Sequence, residues 1–321
     1  MNRKNQHHHL IAASIATSTN TKYDKAYQQF IQYLHHRRLR LHRLTPLQLD
    51  DILVKYIHYL HSIQCSLSTA TCTISAIHRA TGVGAYLHRA RLSIKGWQRI
   101  HARTRKHRPP LTREVTTLIA IVLAKSNHYS AALATLVSFH CYLRINEMCN
   151  LKIHEVAFAG DSRLGSGMKV FATLKLAVTK TGLNQSVSIT DTGLASLLHR
   201  WICKLKCTGS VGSDTVFQLN ANLYRSLFHT AVHSLSLSHI GYTPHSLRHG
   251  AATFDYMSGI SIAEIVMKGR WASEASLKTY VQTGSVILLD TELSNHMFTI
   301  AKILDRHIVQ VMNICQGMNT K

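Results

Sequence analysis

The sequence predicts a mainly α protein in two parts, an all-helical N-terminal third and an α-rich remainder that holds a small antiparallel β-sheet. Three observations predict it. Apolar residues recur at helical spacing through most of the chain, and helix start signals precede several of those stretches. One segment, residues 168–190, switches instead to short β-branched runs separated by Gly182 and Asn184, a hairpin-like pattern.

Residues 1–18 read as a loose tail, because their apolar stretch is too short for a secretory signal and their three histidines are too few for a tag. Tyr23, Tyr27, Phe30 and Leu34 then share one helical face, with Asn20 or Thr19 as the expected cap. Thr45-Pro46 opens a second helix, an N-cap followed by proline at the first helical position, and Leu49, Ile52, Leu53, Tyr56, Ile57 and Leu60 form its apolar face. Shorter helical patterns follow at residues 68–81 and 94–103. Residues 102–112 are basic and contain two adjacent prolines, as an interdomain linker would. A new amphipathic helix begins at Arg113, the hairpin follows, and helices resume at Leu194. The expected divisions are therefore 1–18, 19–101, 102–112 and 113–321. Near the end, Ile287, Leu288, Met297, Ile300, Ile303, Leu304, Ile308, Val309 and Met312 give an approximately helical apolar pattern.

Charge narrows the function. The chain of 321 residues has 37 Lys and Arg against 15 Asp and Glu, a net +22 with histidine neutral. Eighteen of those cations and only Asp24, Asp50 and Asp51 fall in the first 110 residues, so +15 of the excess sits in the first third. Such an excess points to a polyanion, and nucleic acid is the partner that binding by counterion release favours. Arg37, Arg38, Arg40 and Arg43, between the first two helices, are expected phosphate contacts, as are Arg103, Arg105, Lys106 and Arg108 in the linker. The same basic linker would also serve as a nuclear localisation signal. No apolar run approaches the roughly 20 residues of a membrane span, so no membrane partner is expected. Seven cysteines, an odd number spread along the chain, argue against a disulfide framework and for an intracellular, reducing compartment.

The chemistry concentrates in residues 245–281. His245 and Arg248 are three apart, so on a helix they reach one anion together, and Pro244 marks that helix's start. Arg270 and Trp271 are adjacent, and Tyr280 lies nine residues beyond the tryptophan. A guanidinium, an imidazole, an indole donor and a phenol are the parts needed to hold a phosphodiester and attack it. Upstream, Arg144 and Glu147 have the spacing of an ordinary helical ion pair, and Lys180 stands in the hairpin sequence TKTG.

In order, LRxxE, the TKTG hairpin, HSLRHGAAT, GRW and the later tyrosine resemble the tyrosine recombinase (phage integrase) family, over nearly the whole chain. Trp271 stands where many members have a second histidine, which resembles the Cre variant. The resemblance implies a helical core-binding domain that closes a clamp around duplex DNA, followed by a catalytic domain. It implies Tyr280 as the nucleophile, Arg144 and Arg248 on the non-bridging oxygens, and Lys180 as the acid for the leaving 5′-oxygen. His245 would assist proton transfer, Trp271 would donate its indole N–H, and Glu147 would orient the site. His249 would act as a supporting or packing residue, and Arg270 as a further DNA contact. No metal, cofactor or ATP is implied. The expected partner is a double-stranded recombination site bound by a homo-tetramer on two DNA sites, with the terminal helix docked on a neighbouring protomer. The compartment would be cytoplasm or nucleoid for a prokaryotic or phage protein, and the nucleus for a eukaryotic mobile element.

Three other readings are weaker. A type IB topoisomerase would share the phosphotyrosine chemistry, but HSLRHGAAT and GRW are integrase-like. A binding-only descendant would have lost a catalytic residue, and a generic RNA-binding protein would show an aromatic RNA-binding motif. Cys203, Cys207, His229 and His233 form two short pairs, but the gap between the pairs departs from zinc-finger spacing.

Overall fold

The computed structural model describes residues 15–102, 109–160, 171–179, 182–284 and 294–318. The chain divides into two compact units, Met1–Lys106 and His107–Lys321. Among the described residues no helix is long and apolar enough to cross a membrane.

Among its described residues the first unit contains four α-helices, α1 (Thr17–His36), α2 (Pro46–Ser62), α3 (Leu67–Thr81) and α4 (His88–Ala102). The cap of α2 is the one expected: Gln48 N–H donates to Thr45 Oγ1, and the Gln48 side chain accepts from the Thr45 N–H. At α1 the expectation fails. The helix starts before Thr19 and Asn20, with Ala16 at the cap position, and Asn20 Oδ1 instead accepts a hydrogen bond from Arg79 on α3. Helix α4 begins earlier than its apolar pattern suggests, because the buried Asp50 carboxylate of α2 accepts the N–H groups of Arg89 and Ala90 at 3.0 and 2.9 Å. Phe30, Tyr33, Leu53, Tyr56, Ile77 and Trp97 fill the core between these helices.

The second unit is built on α5 (Arg113–Lys125), α6 (Tyr129–His140) and the short α7 (Ile145–Asn150). Thr112 caps α5 through the Val115 N–H. Helix α6 is apolar nearly all round and lies at the centre of the core. A three-stranded antiparallel sheet follows in the order β1 (Val156–Phe158), β2 (Ala172–Thr179), β3 (Gly182–Ile189). Its register pairs Val156 with Leu174 and Leu174 with Val187, so Ala172, Leu174, Leu176, Val187 and Ile189 all face the core. The hairpin is the expected one; β1 had no legible signal in its three residues.

Helices α8 (Thr192–Cys207), α9 (Ala221–Ser234), α10 (Pro244–Met257), α11 (Ile262–Gly269) and α12 (Glu274–Lys278) complete the unit, followed by α13 (Asn295–Arg306) and α14 (Ile308–Met318). Leu111, expected in the linker, is instead core: it is fully buried, and its N–H donates to the Ser246 carbonyl at 3.1 Å. Gly250 allows that approach, since a Cβ there would overlap the Leu111 backbone. The terminal segment, expected to dock on a neighbouring protomer, packs on its own unit. Helices α13 and α14 lie against α5, and α14 also against α8, with Met312 and Cys315 buried. Asp305 accepts from Arg113 Nε at 2.7 Å and from Thr117 Oγ1 at 2.8 Å. Part of the apolar pattern is thus covered within the chain, whereas Ile300 and Ile303 stay exposed and Ile287 and Leu288 lie outside the described residues.

Candidate active site

Helix α10 carries most of the site. It starts where the sequence predicts, with Pro244 at the first helical position, and the Thr243 N–H donates to Ser246 Oγ at 3.1 Å. His245, Arg248 and His249 then fall on one face by their helical spacing. Arg248 has no solvent exposure. Its Nη1 donates to the Tyr142 carbonyl and its Nη2 to the Gly269 carbonyl, while Nε has no protein partner among the described residues.

The chain returns to this face after α11. Arg270 adopts a left-handed conformation, φ 55°, which ends the helix and turns the backbone so that the Trp271 N–H reaches the Val266 carbonyl. A Cβ on Gly269 would overlap the Trp271 ring, so glycine permits the indole to lie against the turn. The Trp271 ring sits under the Arg248 guanidinium at 4.4 Å. Its Nε1 is buried and has no protein partner among the described residues.

Tyr280 follows α12 and is half-buried. Its ring stacks on His249 with centroids 4.4 Å apart, and meets Trp271 and His245 edge-on at 5.0 and 5.6 Å. The backbone here is fastened to α10: Thr253 Oγ1 donates to the Tyr280 carbonyl and accepts from the Gln282 N–H, both at 3.2 Å. Gln282 Nε2 also lies 3.2 Å from His249 Nδ1, a donor to it when the ring proton is on Nε2.

Arg144 caps α7 rather than lying within it. Its backbone N–H donates to Glu147 Oε2 at 2.9 Å, and its Nη1 to Oε1 at 2.5 Å. Glu147 is buried and takes a second guanidinium, Arg270 Nη2, at 2.7 Å. Arg270, expected as a DNA contact, is therefore a largely interior partner of Glu147, with its side chain 4 % exposed. Burial raises the Glu147 carboxyl, but Arg270 and Arg144 outweigh it and hold the group below its ordinary value. Burial lowers the Arg248 guanidinium, and Arg144 and Arg270 lower it further. It stays charged at neutral pH all the same. Three guanidiniums around one carboxylate leave a net positive site lined by buried N–H donors, which suits a phosphate.

Of the remaining expected residues, Arg37, Arg38, Arg40 and Arg43 are exposed, and Arg37 lies over the Tyr33 ring at 3.8 Å. Lys180, Arg103, Arg105, Lys106 and Arg108 lie outside the described residues. Among the described residues no group of three or more His, Cys, Asp or Glu could hold a metal ion, so the two Cys and two His pairs form no such cluster.

The profile of the Phage integrase family matches residues 111–285, which span the whole of this constellation. The chain belongs to the phage integrase family. Over 180 residues it is 22 % identical to the recombinase Cre of Escherichia phage P1, a match covering 48 % of this chain and 50 % of that protein. The chain thus spans about half the length of this curated relative. Among solved structures, the Tn1549 transposon integrase in complex with transposon right end DNA aligns with a TM-score of 0.57 at 12 % identity, covering 87 % of this chain and 95 % of that one. A lambda integrase dimer bound to a COC′ core site aligns with a TM-score of 0.55 at 17 % identity, covering 87 % and 76 %. These likenesses show a shared integrase fold.

Several contributors carried no usable sequence signal. Tyr142 supplies the carbonyl that receives Arg248 from a left-handed backbone, φ 50°, in a residue type that rarely adopts it. Gln282 and Gly269 act through contacts distant in the chain. Thr253 alone was within reach, being four residues beyond His249 on the same helix face.

Proposed function

We propose that this chain is a site-specific DNA recombinase that cuts and rejoins strands through a 3′-phosphotyrosyl intermediate. One observation carries the reading: Tyr280 lies against His245, His249 and Trp271 with the Arg248 guanidinium 5.8 Å from its ring centre, so a phenol and a buried cation share one small site. In this reading the Tyr280 oxygen attacks the scissile phosphorus while its proton passes toward His245. The bond to the 5′-oxygen breaks, and Lys180 supplies the proton that makes the leaving group a hydroxyl. Arg144 and Arg248 stabilise the charge that builds on the non-bridging oxygens, and the Trp271 indole N–H, in the Cre-like position, donates to one of them. Glu147 orients two of the guanidiniums, and His249 supports the tyrosine.

Attack by a 5′-hydroxyl from another strand reverses the step, and the phosphotyrosine bond stores the energy, so neither metal nor ATP is consumed. The N-terminal unit is the core-binding domain in this reading. Arg37, Arg38, Arg40 and Arg43 hold DNA phosphates, with Arg103, Arg105, Lys106 and Arg108 in the connection. The working assembly is a homo-tetramer on two double-stranded sites. A pool of nicked suicide duplexes with randomised half-sites, in buffer containing a metal chelator, tests this. Wild type is expected to form a covalent protein–DNA band that Tyr280→Phe does not. Binding without any band would support a binding-only descendant instead.

A further inference from the structure

Tyr142 combines a left-handed backbone with a buried, tethered phenol. Its φ of 50° places a bulky residue in a conformation that persists only where the surroundings hold it. The carbonyl oriented by that conformation accepts from Arg248 Nη1, and from Arg270 Nη2 at 3.4 Å. On its other side the phenol donates to Asp255 Oδ2 at 2.5 Å. Asp255 in turn is ion-paired with Lys268 at 2.7 Å, and the Lys268 ammonium lies 4.8 Å from the centre of the Tyr142 ring. The ring is buried against Ala251, Ala252, Ile265 and Trp271.

We infer that Tyr142 is a positioning residue. Its phenol, anchored on the Asp255–Lys268 pair, fixes the left-handed backbone so that its carbonyl sets the aim of the Arg248 and Arg270 guanidiniums. Two features favour this over plain packing. A phenylalanine would fill the same space, so the hydroxyl is not needed for volume. Asp255 sits in α10, the helix that carries Arg248, so the tether joins the carbonyl to the helix bearing the guanidinium it receives.

The catalytic side of this inference rests on the proposed role of Arg248 at the scissile phosphate. In pre-bound suicide complexes, Tyr142→Phe and Asp255→Ala are each expected to slow covalent adduct formation roughly tenfold, the worth of about one hydrogen bond, with the DNA Kd unchanged. The double variant is expected to be no slower than the slower single one, and Asp255→Asn, which keeps an acceptor, is expected to recover most of the rate. Wild-type rates in Tyr142→Phe would overturn the inference, as would a lowered Tm with no change in the rate at a temperature where the variant stays folded. If wild type forms no adduct, the Tyr280 reading fails. The tether is then decided by solvent exchange of the Arg248 guanidinium protons, read by NMR. Several-fold faster exchange in Tyr142→Phe supports it, and unchanged exchange overturns it.

Discussion

In the first unit Arg37, Arg38, Arg40 and Arg43 stand in solvent around the connection between α1 and α2, whereas in the second unit Arg248 and Arg270 are buried and Arg144 half-buried. The solvated group keeps its hydration, needs no carboxylate, and in the proposed function would attract DNA through a field that salt screens. The buried group has lost water and depends on fixed partners: Glu147 and the carbonyls of Tyr142 and Gly269. In the proposed function one residue type would serve two purposes, capture at the surface and charge stabilisation in the interior, and the second requires a scaffold that the first does not.

Arg248→Ala strikes hardest at this contrast. Loss of one preorganised donor is expected to slow adduct formation by roughly 100- to 1000-fold while DNA binding holds. An equal loss in binding would place Arg248 with the surface arginines. Next is Glu147→Gln, which leaves Arg270 buried beside an uncharged partner. A stability loss of about 3 kcal/mol is expected in denaturant unfolding, in the range found when one member of a buried pair is removed. Because the folded Glu147 carboxyl sits below its ordinary 4.5, its stabilisation is complete above that pH and is lost as the pH falls through the lower folded value. The gap in stability between wild type and Glu147→Gln should therefore be full at neutral pH and close under acid. A gap independent of pH would contradict the ion-pair account. The smallest effect belongs to Arg43→Ala, which should leave Tm unchanged and reduce the salt slope of DNA binding by about 0.9, one phosphate contact. An unchanged slope would remove Arg43 from the DNA surface.

How far the sequence revealed this molecule follows the same division. Features set by neighbours in the chain were legible: the Thr45 cap before Pro46, the hairpin of β2 and β3, and the common face of His245 and Arg248. Features set by distant partners were not. Asp50 starts α4 from 39 residues away, Arg270 is drawn inward by Glu147, and Tyr142 is held by Asp255. The Arg144–Glu147 spacing suggested a plain helical pair, yet the structure makes it a helix cap whose carboxylate also serves Arg270. The terminal helices show the limit from another side. Their apolar pattern required a partner surface without specifying which chain supplies it; α5 and α8 cover Met312 and Cys315, while Ile300 and Ile303 remain exposed.

Everything proposed for the site turns on whether Tyr280 becomes joined to DNA. Digestion of the covalent complex and mass spectrometry of the DNA-bearing peptide tests it directly. The predicted product is a nucleotide attached through its 3′-phosphate to the Tyr280 oxygen. Attachment to any other residue, or a 5′-phosphate linkage, would contradict it.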